Sequence, residues 1–149
     1  MPLLSVTHQQ QRQRSDCLAA CAAMVLDYHG VKVNYSRLLR VLRMRDIGTS
    51  FYNLRALETL GVTVLVEDGS MDQLEVCLTS GQPLIASVDT QDLLYLNGQA
   101  VLHAVVVVGS DADTISINDP AFGVAHQEID RVNFESAWLR REYVSAVIY

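Results

Sequence analysis

The hydrophobic period changes partway along this chain, and that change restricts its fold more than any other feature. From Leu18 to Leu26 the apolar residues Leu18, Cys21, Ala22, Val25 and Leu26 recur at helical spacing, with Ala19, Ala20 and Ala23 filling in between them. So apolar a segment implies a central, mostly buried helix. Asp16 stands where an N-cap belongs and Gly30 where the helix should stop. From Val101 to Val108 the chain is instead a β-branched run, Asp111-Ala112-Asp113 forms a turn, and Thr114 to Asn118 alternates. Helices first and antiparallel strands afterwards predict an α+β fold, not βαβ repetition.

The remaining elements follow from local signals. Asn34 caps a second helix reaching Met44, with Leu38, Leu39 and Leu42 inward and Arg37, Arg40 and Arg43 on an outer stripe. A third helix starts after Thr49-Ser50 and ends at Gly61, burying Leu54, Leu57 and Leu60. Val62 to Glu67 is a short strand, Ser70 caps a helix running to Ser80, and Pro83 to Asp89 is another strand. Residues 90 to 99 form a polar connection. Val124 to Ile129 is a strand, Asn133 caps a short helix containing Phe134 and Trp138, and Tyr143 to Tyr149 is the last strand. Residues 1–14, rich in glutamine, read as an extended arm. No internal repeat or linker divides the chain, so one domain over residues 1–149 is expected.

Composition removes several function classes. Half of the 149 residues are apolar, 19% are charged and the net charge is −6, so a packed core is attainable while a general nucleic-acid or anionic-membrane binder, which needs a basic face, is not expected. The apolar stretches fall far short of the ~20 residues of a membrane span, and no signal peptide is visible. Three cysteines, an odd and sparse set, suit a reducing compartment, so a cytoplasmic location is expected.

Cys17 falls in the first turn of the first helix, where unpaired N–H groups and the helix dipole favour a thiolate, the nucleophilic form. The other reading of that position is a small apolar filler. The hairpin supplies a partner. With its turn centred on Asp111, Val108 opposes Thr114 and His103 opposes Asp119, at a Cβ separation of about 4.5–5.5 Å. A carboxylate bonded to one imidazole nitrogen fixes the tautomer and leaves the other to take a proton from a thiol. The alternative is a structural His–Asp pair. The apolar residues Val105, Val107, Ile115 and Ile117 share that face, which places the pair at its rim.

The ordered residues Gln11-Arg-Gln-Arg-Ser-Asp16-Cys17-Leu-Ala-Ala-Cys21-Ala-Ala-Met24, then Gly48-Thr-Ser50, Leu54 and Gly61, then His103-Ala-Val-Val-Val-Val-Gly109 and Ile117-Asn-Asp119-Pro120 resemble one family. It is the papain-like peptidase domain of bacteriocin-exporting ABC transporters, which cleaves leader peptides after a double-glycine-type motif. The likeness runs from about Gln11 to the last strand. It implies a papain-like fold in which N-terminal helices carrying the cysteine pack on a C-terminal antiparallel sheet carrying His and Asp. It also implies Cys17 as nucleophile, His103 as general base, Asp119 as orienting carboxylate and Gln11 as oxyanion donor. Two departures stand out. Leu18 occupies the position after the nucleophile where the family usually has Gly, and the membrane and ATPase parts of a transporter are absent from this sequence, so a free-standing peptidase is expected. A peptide or protein substrate, and an exporter or other partner protein, are the partners implied.

Two other functions remain open on the same residues: amidase- or transglutaminase-like acyl transfer to an amine, and a non-catalytic module that binds peptides in the same cleft. Cys17 and Cys21 lie four apart without a second Cys/His pair, so no metal is expected; Cys21 and Cys77 are expected in the core. No phosphate-binding glycine motif is present and no cofactor is implied. His29 is expected at a helix C-terminus, His8 and His126 have no evident partner, and Asp111 and Asp113 read as turn residues. The arginine stripe, extended by Arg45, reads as a solvated face, or more sharply as a docking surface for an acidic partner.

Overall fold

The helix expected to be central is so in the computed structural model, which describes residues 3–93 and 102–149. Helix α1 (Cys17–Tyr28) buries Leu18 to Ala22 and Met24 to Leu26, and the chain leaves it through Gly30 at φ 75°, a left-handed conformation cheap only for glycine. Helix α2 (Tyr35–Val41) starts at Asn34, whose side chain accepts from Arg37 N–H, as expected. It stops short of Met44 because Arg43 turns into the left-handed region at φ 54°, which breaks the arginine stripe. The third helical segment, Phe51–Leu60, is wound as a 3-10 helix between Ser50, which accepts from Tyr52 N–H, and Gly61. Helices α3 (Met71–Thr79) and α4 (Arg131–Leu139) complete the set. The cap of α4 is Asp130, bonded to Val132 N–H, and not Asn133, which lies inside the helix.

Strands β1 (Val64–Asp68), β2 (Leu84–Asp89), β3 (Leu102–Ser110), β4 (Thr114–Asn118), β5 (Gln127–Asp130) and β6 (Val144–Ile148) form one six-stranded sheet in the order β1-β6-β2-β3-β4-β5, antiparallel throughout. Of the connection expected at 90–99, Thr90–Asp92 is a short 3-10 turn; residues 94–101, including the expected strand start at Val101, lie outside the described residues.

Helices cover both faces of the sheet. On one, α1, α2 and the 3-10 helix pack on Val64, Val66, Ile85, Ala104, Val106, Val108, Ala146 and Ile148. On the other, α3 and α4 pack on Leu84, Ala86, Val88, Val105, Val107, Ile115, Ile117 and Val147. With both faces buried, β3 reads as continuous apolar residues rather than as an alternating strand. Among the described residues no helix is long and apolar enough to cross a membrane.

The arm is extended and tied down. Leu4 N–H donates to Val108 O at 2.9 Å, Asn118 Nδ2 to Val6 O at 3.2 Å, and Gln11 N–H to Pro120 O at 2.8 Å. His8 bonds Phe122 O through Nε2 at 2.6 Å, the partner its sequence context did not show.

Asp16 occupies the N-cap position of α1, yet its side chain makes no capping bond. Its fully buried carboxylate accepts instead from Gln13 N–H at 2.8 Å and from Tyr35 Oη–H at 2.6 Å. Arg12 lies over the Tyr35 ring, 4.2 Å from its centroid. A buried charge that loses a hydrogen bond is expensive, by about 1.5–3 kcal/mol. Tyr35→Phe is therefore expected to lower stability by about that amount in urea unfolding followed by the fluorescence of Trp138; an unchanged midpoint would show that the carboxylate does not need the hydroxyl.

Candidate active site

Cys17 is the first residue of α1, where the burial of the helix holds it. His103 comes from the start of β3 and Asp119 from just beyond the end of β4. His103 Nε2 lies 2.6 Å from Asp119 Oδ1, and the same ring lines one cavity with Cys17. With Nε2 committed to the carboxylate, Nδ1 is the nitrogen left for the thiol. The His103 side chain is 8% exposed and Asp119 is fully buried, so the pair is shielded from water.

The His–Asp contact forms by a different register from the one expected. The turn is closed by Asp111 N–H donating to Thr114 O, so it centres after Asp111. Val106 opposes Asn118 and Val107 opposes Ile117, and a bulge between Val107 and Gly109 shifts the pairs nearer the turn. His103 and Asp119 are therefore diagonal neighbours just past the last β3–β4 pair. Near the site the displacement amounts to two residues, which keeps side chains on their face; a slip of one would have reversed it. Strict alternation also puts His103 on the face of Val105 and Val107, which α3 and α4 cover. Its ring meets Cys17 of the opposite layer because the contact is made at the end of the sheet, not over either face.

The charges of the site act together. Burial lowers the proton affinity of His103, but the hydrogen bond it donates to Asp119, its interaction with Cys17 and the charges of both outweigh it, and its pKa is pushed up to about 10. The imidazole is thus held as a cation through neutral pH, the form that stabilises an adjacent thiolate. Cys21 differs: burial first, then the charges of Cys17 and Asp119, push its thiol well up, as suits a core residue. Half-buried Cys77 is also raised, by burial and then by Glu67.

Gln11 is tied into the loop before α1. Its Nε2 donates to both Gln13 O and Arg14 O at 2.9 Å, while its buried Oε1 has no partner among the described residues. Both amide protons are thereby engaged, and Gln11 does not line the cleft. Its backbone bond to Pro120 does couple it to the loop carrying Asp119. The thiol and imidazole open on a cavity of about 460 Å³ that also meets Leu18, Thr49 to Tyr52, Ser87 and Arg140 to Glu142. Of the 49–52 wall, the sequence marks Thr49-Ser50 as a helix start and as part of the family resemblance, without placing it at the cleft. The 140–142 wall gave no signal beyond a run of charges at a helix end. His126 takes no part, and Arg37, Arg40, Arg43 and Arg45 are exposed and form no ion pair among the described residues.

Residues 5–144 match the model of the Peptidase C39 family. The chain is 29% identical over 133 residues to the transport/processing ATP-binding protein ComA of Streptococcus pneumoniae, and 31% identical over 133 residues to the lactococcin-G-processing and transport protein LagD of Lactococcus lactis. These alignments take in 88% and 86% of this chain but only 17% of either relative. Among solved structures it resembles a putative C39-like peptidase from Bacillus anthracis (TM-score 0.79, 21% identity, 99% of this chain and 96% of that one). It also resembles a double-glycine-motif protease from a PCAT transporter, solved with its leader peptide (TM-score 0.77, 20% identity, 98% and 92%). The Streptococcus ComA peptidase domain is similar too (TM-score 0.75, 21% identity, 96% and 97%). The chain belongs to the Peptidase C39 family of cysteine peptidases.

Proposed function

We propose that Cys17, His103 and Asp119 are the catalytic residues of this peptidase and that it cleaves peptides of the double-glycine leader kind by way of an acyl-enzyme. The observation that carries this reading is the His103 ring, bonded to buried Asp119 and facing, together with Cys17, one cleft wide enough for a peptide. The Cys17 thiolate attacks the carbonyl carbon, and the proton on His103 passes to the leaving amine. Water, deprotonated by His103, then attacks the thioester and releases the acyl group. Asp119 holds the ring and stabilises its cationic form.

The oxyanion is met by the backbone N–H of Cys17, at the positive end of α1, and by Gln11 once its amide turns from the carbonyls of Gln13 and Arg14. Leu18, whose side chain lines the cleft where the family usually has no side chain, narrows it beside the thiol. An exporter that presents the leader is the partner implied by the relatives ComA and LagD, of which this chain spans a sixth.

Two measurements test this reading. Iodoacetamide is expected to modify Cys17 faster than Cys77 at neutral pH, and His103→Ala to slow it to the rate of Cys77. Equal, slow labelling of Cys17 and Cys77 in the wild type would favour a binding module. Cleavage, unlike alkylation, needs the imidazolium proton, so kcat/KM is expected to fall as pH rises through about 10. Asp119→Asn removes influences that raise that value and should move the alkaline limb downward; a limb that stays in place would separate it from His103. Hydroxamate formation with added hydroxylamine would reveal the thioester, and the ratio of free acid to amide product in the presence of a peptide amine would separate hydrolysis from acyl transfer.

For Gln11→Ala the expected result is a kcat lower by about 10²–10³-fold with KM little changed. A loss below about threefold would leave the oxyanion to the Cys17 N–H alone.

A further inference from the structure

The cleft has a wall that acyl transfer leaves without a task. It is the turn after α4, where Arg140, Arg141 and Glu142 face the same cavity as Cys17 and His103. Arg140 is neutralised by Asp92, whose Oδ2 lies 2.5 Å from its Nε. Arg141 is different. Its side chain is partly buried, its Nε is buried with no hydrogen-bond partner, and it forms no ion pair among the described residues. A guanidinium carries five donors and no acceptor, so a buried N–H on it calls for an oxygen from elsewhere.

The backbone that presents Arg141 is unusual too. Glu142 and Tyr143 have φ 57° and 59°, consecutive left-handed conformations without a glycine. Such strain persists only where surrounding structure imposes it, and it concentrates at binding sites. Here the restraints are visible. Arg141 N–H and Tyr143 N–H both donate to Trp138 O, and Trp138 Nε1 donates to Val144 O at 3.1 Å. Tyr143 stacks edge-on against Trp138, 4.9 Å between centroids, and its hydroxyl bonds Glu135 at 2.9 Å. The buried Trp138 thus fixes a strained turn whose result is an unpaired cation on the rim of the reactive cleft.

We propose that Arg141 is a carboxylate-reading subsite, which takes an acidic side chain of the peptide close to the bond that is cut. This rests on the reading of Cys17 and His103 as the reacting pair. A guanidinium engages a carboxylate through two parallel N–H···O bonds, which a neutral amide cannot match in charge. Glu142 is exposed and, like Arg141, forms no ion pair among the described residues, so it does not occupy the guanidinium.

The test compares iodoacetate with iodoacetamide on the whole chain at one pH and ionic strength. In both reactions the Cys17 sulfur bonds to the methylene carbon and iodide leaves with the electron pair; only iodoacetate carries a carboxylate. Arg141→Gln is expected to lower the iodoacetate-to-iodoacetamide rate ratio about three- to fivefold, as suits a partly exposed charge pair. Arg141→Lys should keep most of the ratio, and Arg140→Gln should leave it unchanged. Each variant is its own reference through the iodoacetamide rate, so partial unfolding cancels. A ratio unmoved by Arg141→Gln, with normal iodoacetamide labelling, overturns the subsite alone. Slow iodoacetamide labelling of the wild type overturns the underlying reading instead. Paired peptides differing by Glu or Gln beside the cleaved bond should repeat the result: the wild type prefers Glu, and Arg141→Gln loses the preference.

Discussion

Eight of the twelve residues of α1 are buried, and that burial is what every feature of the site depends on. A helix packed this tightly between α2, the 3-10 helix and the sheet has no freedom to slide or rotate. Its first residue is therefore held in one place, with the free N–H groups of the first turn around it. Leu18, Cys21, Val25 and Leu26 anchor that position to the sheet, and with it the place of the Cys17 thiol beside His103. Asp16 adds to this from outside the helix. Its buried carboxylate gathers the Gln13 amide and the Tyr35 hydroxyl and so ties the incoming loop to α2.

The other half of the site is assembled by the sheet. β3 and β4 stop pairing at Val106 and Asn118, and the two side chains beyond that pair close on one another. An imidazole between a buried carboxylate and a thiol is pulled in two directions: desolvation works against its charge, and the two neighbours work for it. The neighbours prevail because they bond to it directly, whereas its burial, at the end of the sheet, is incomplete. The same balance separates the cysteines. Cys21, on the same helix and deeper, has burial without a cation and is raised.

The arm and the turn after α4 support different parts of this centre. The arm crosses β3 and β4 and holds the Asp119–Phe122 loop through Gln11 and His8, while Trp138 holds the strained Arg141–Tyr143 turn. The arm runs directly into Cys17, whereas the turn after α4 is remote from it in sequence. The first is held mainly by hydrogen bonds and the second by an aromatic cluster, so the loop carrying Asp119 and the Arg140–Glu142 wall of the cleft are independently supported.

Much of this was legible in the residues. The α+β order, the burial of α1 and the caps at Asn34, Ser50 and Ser70 follow from periodicity and turn chemistry, which act within a few residues; His103 and Asp119 do meet, but through another register than the turn predicted. What the sequence did not disclose depends on contacts between distant segments. The bulge after Val107 set the hairpin register, a long-range packing outcome that turn composition does not encode. Asp16 left its capping role because Tyr35 was there to receive it, and Gln11 spends its amide on its own loop. Arg141 became a cleft residue only because Trp138 bends the chain behind it. Local patterns thus determined which residues are chemically able to act, since reactivity is a property of residue type and of the element that carries it. The tertiary structure decided which of them meet, because distances between remote side chains are set by how the layers pack.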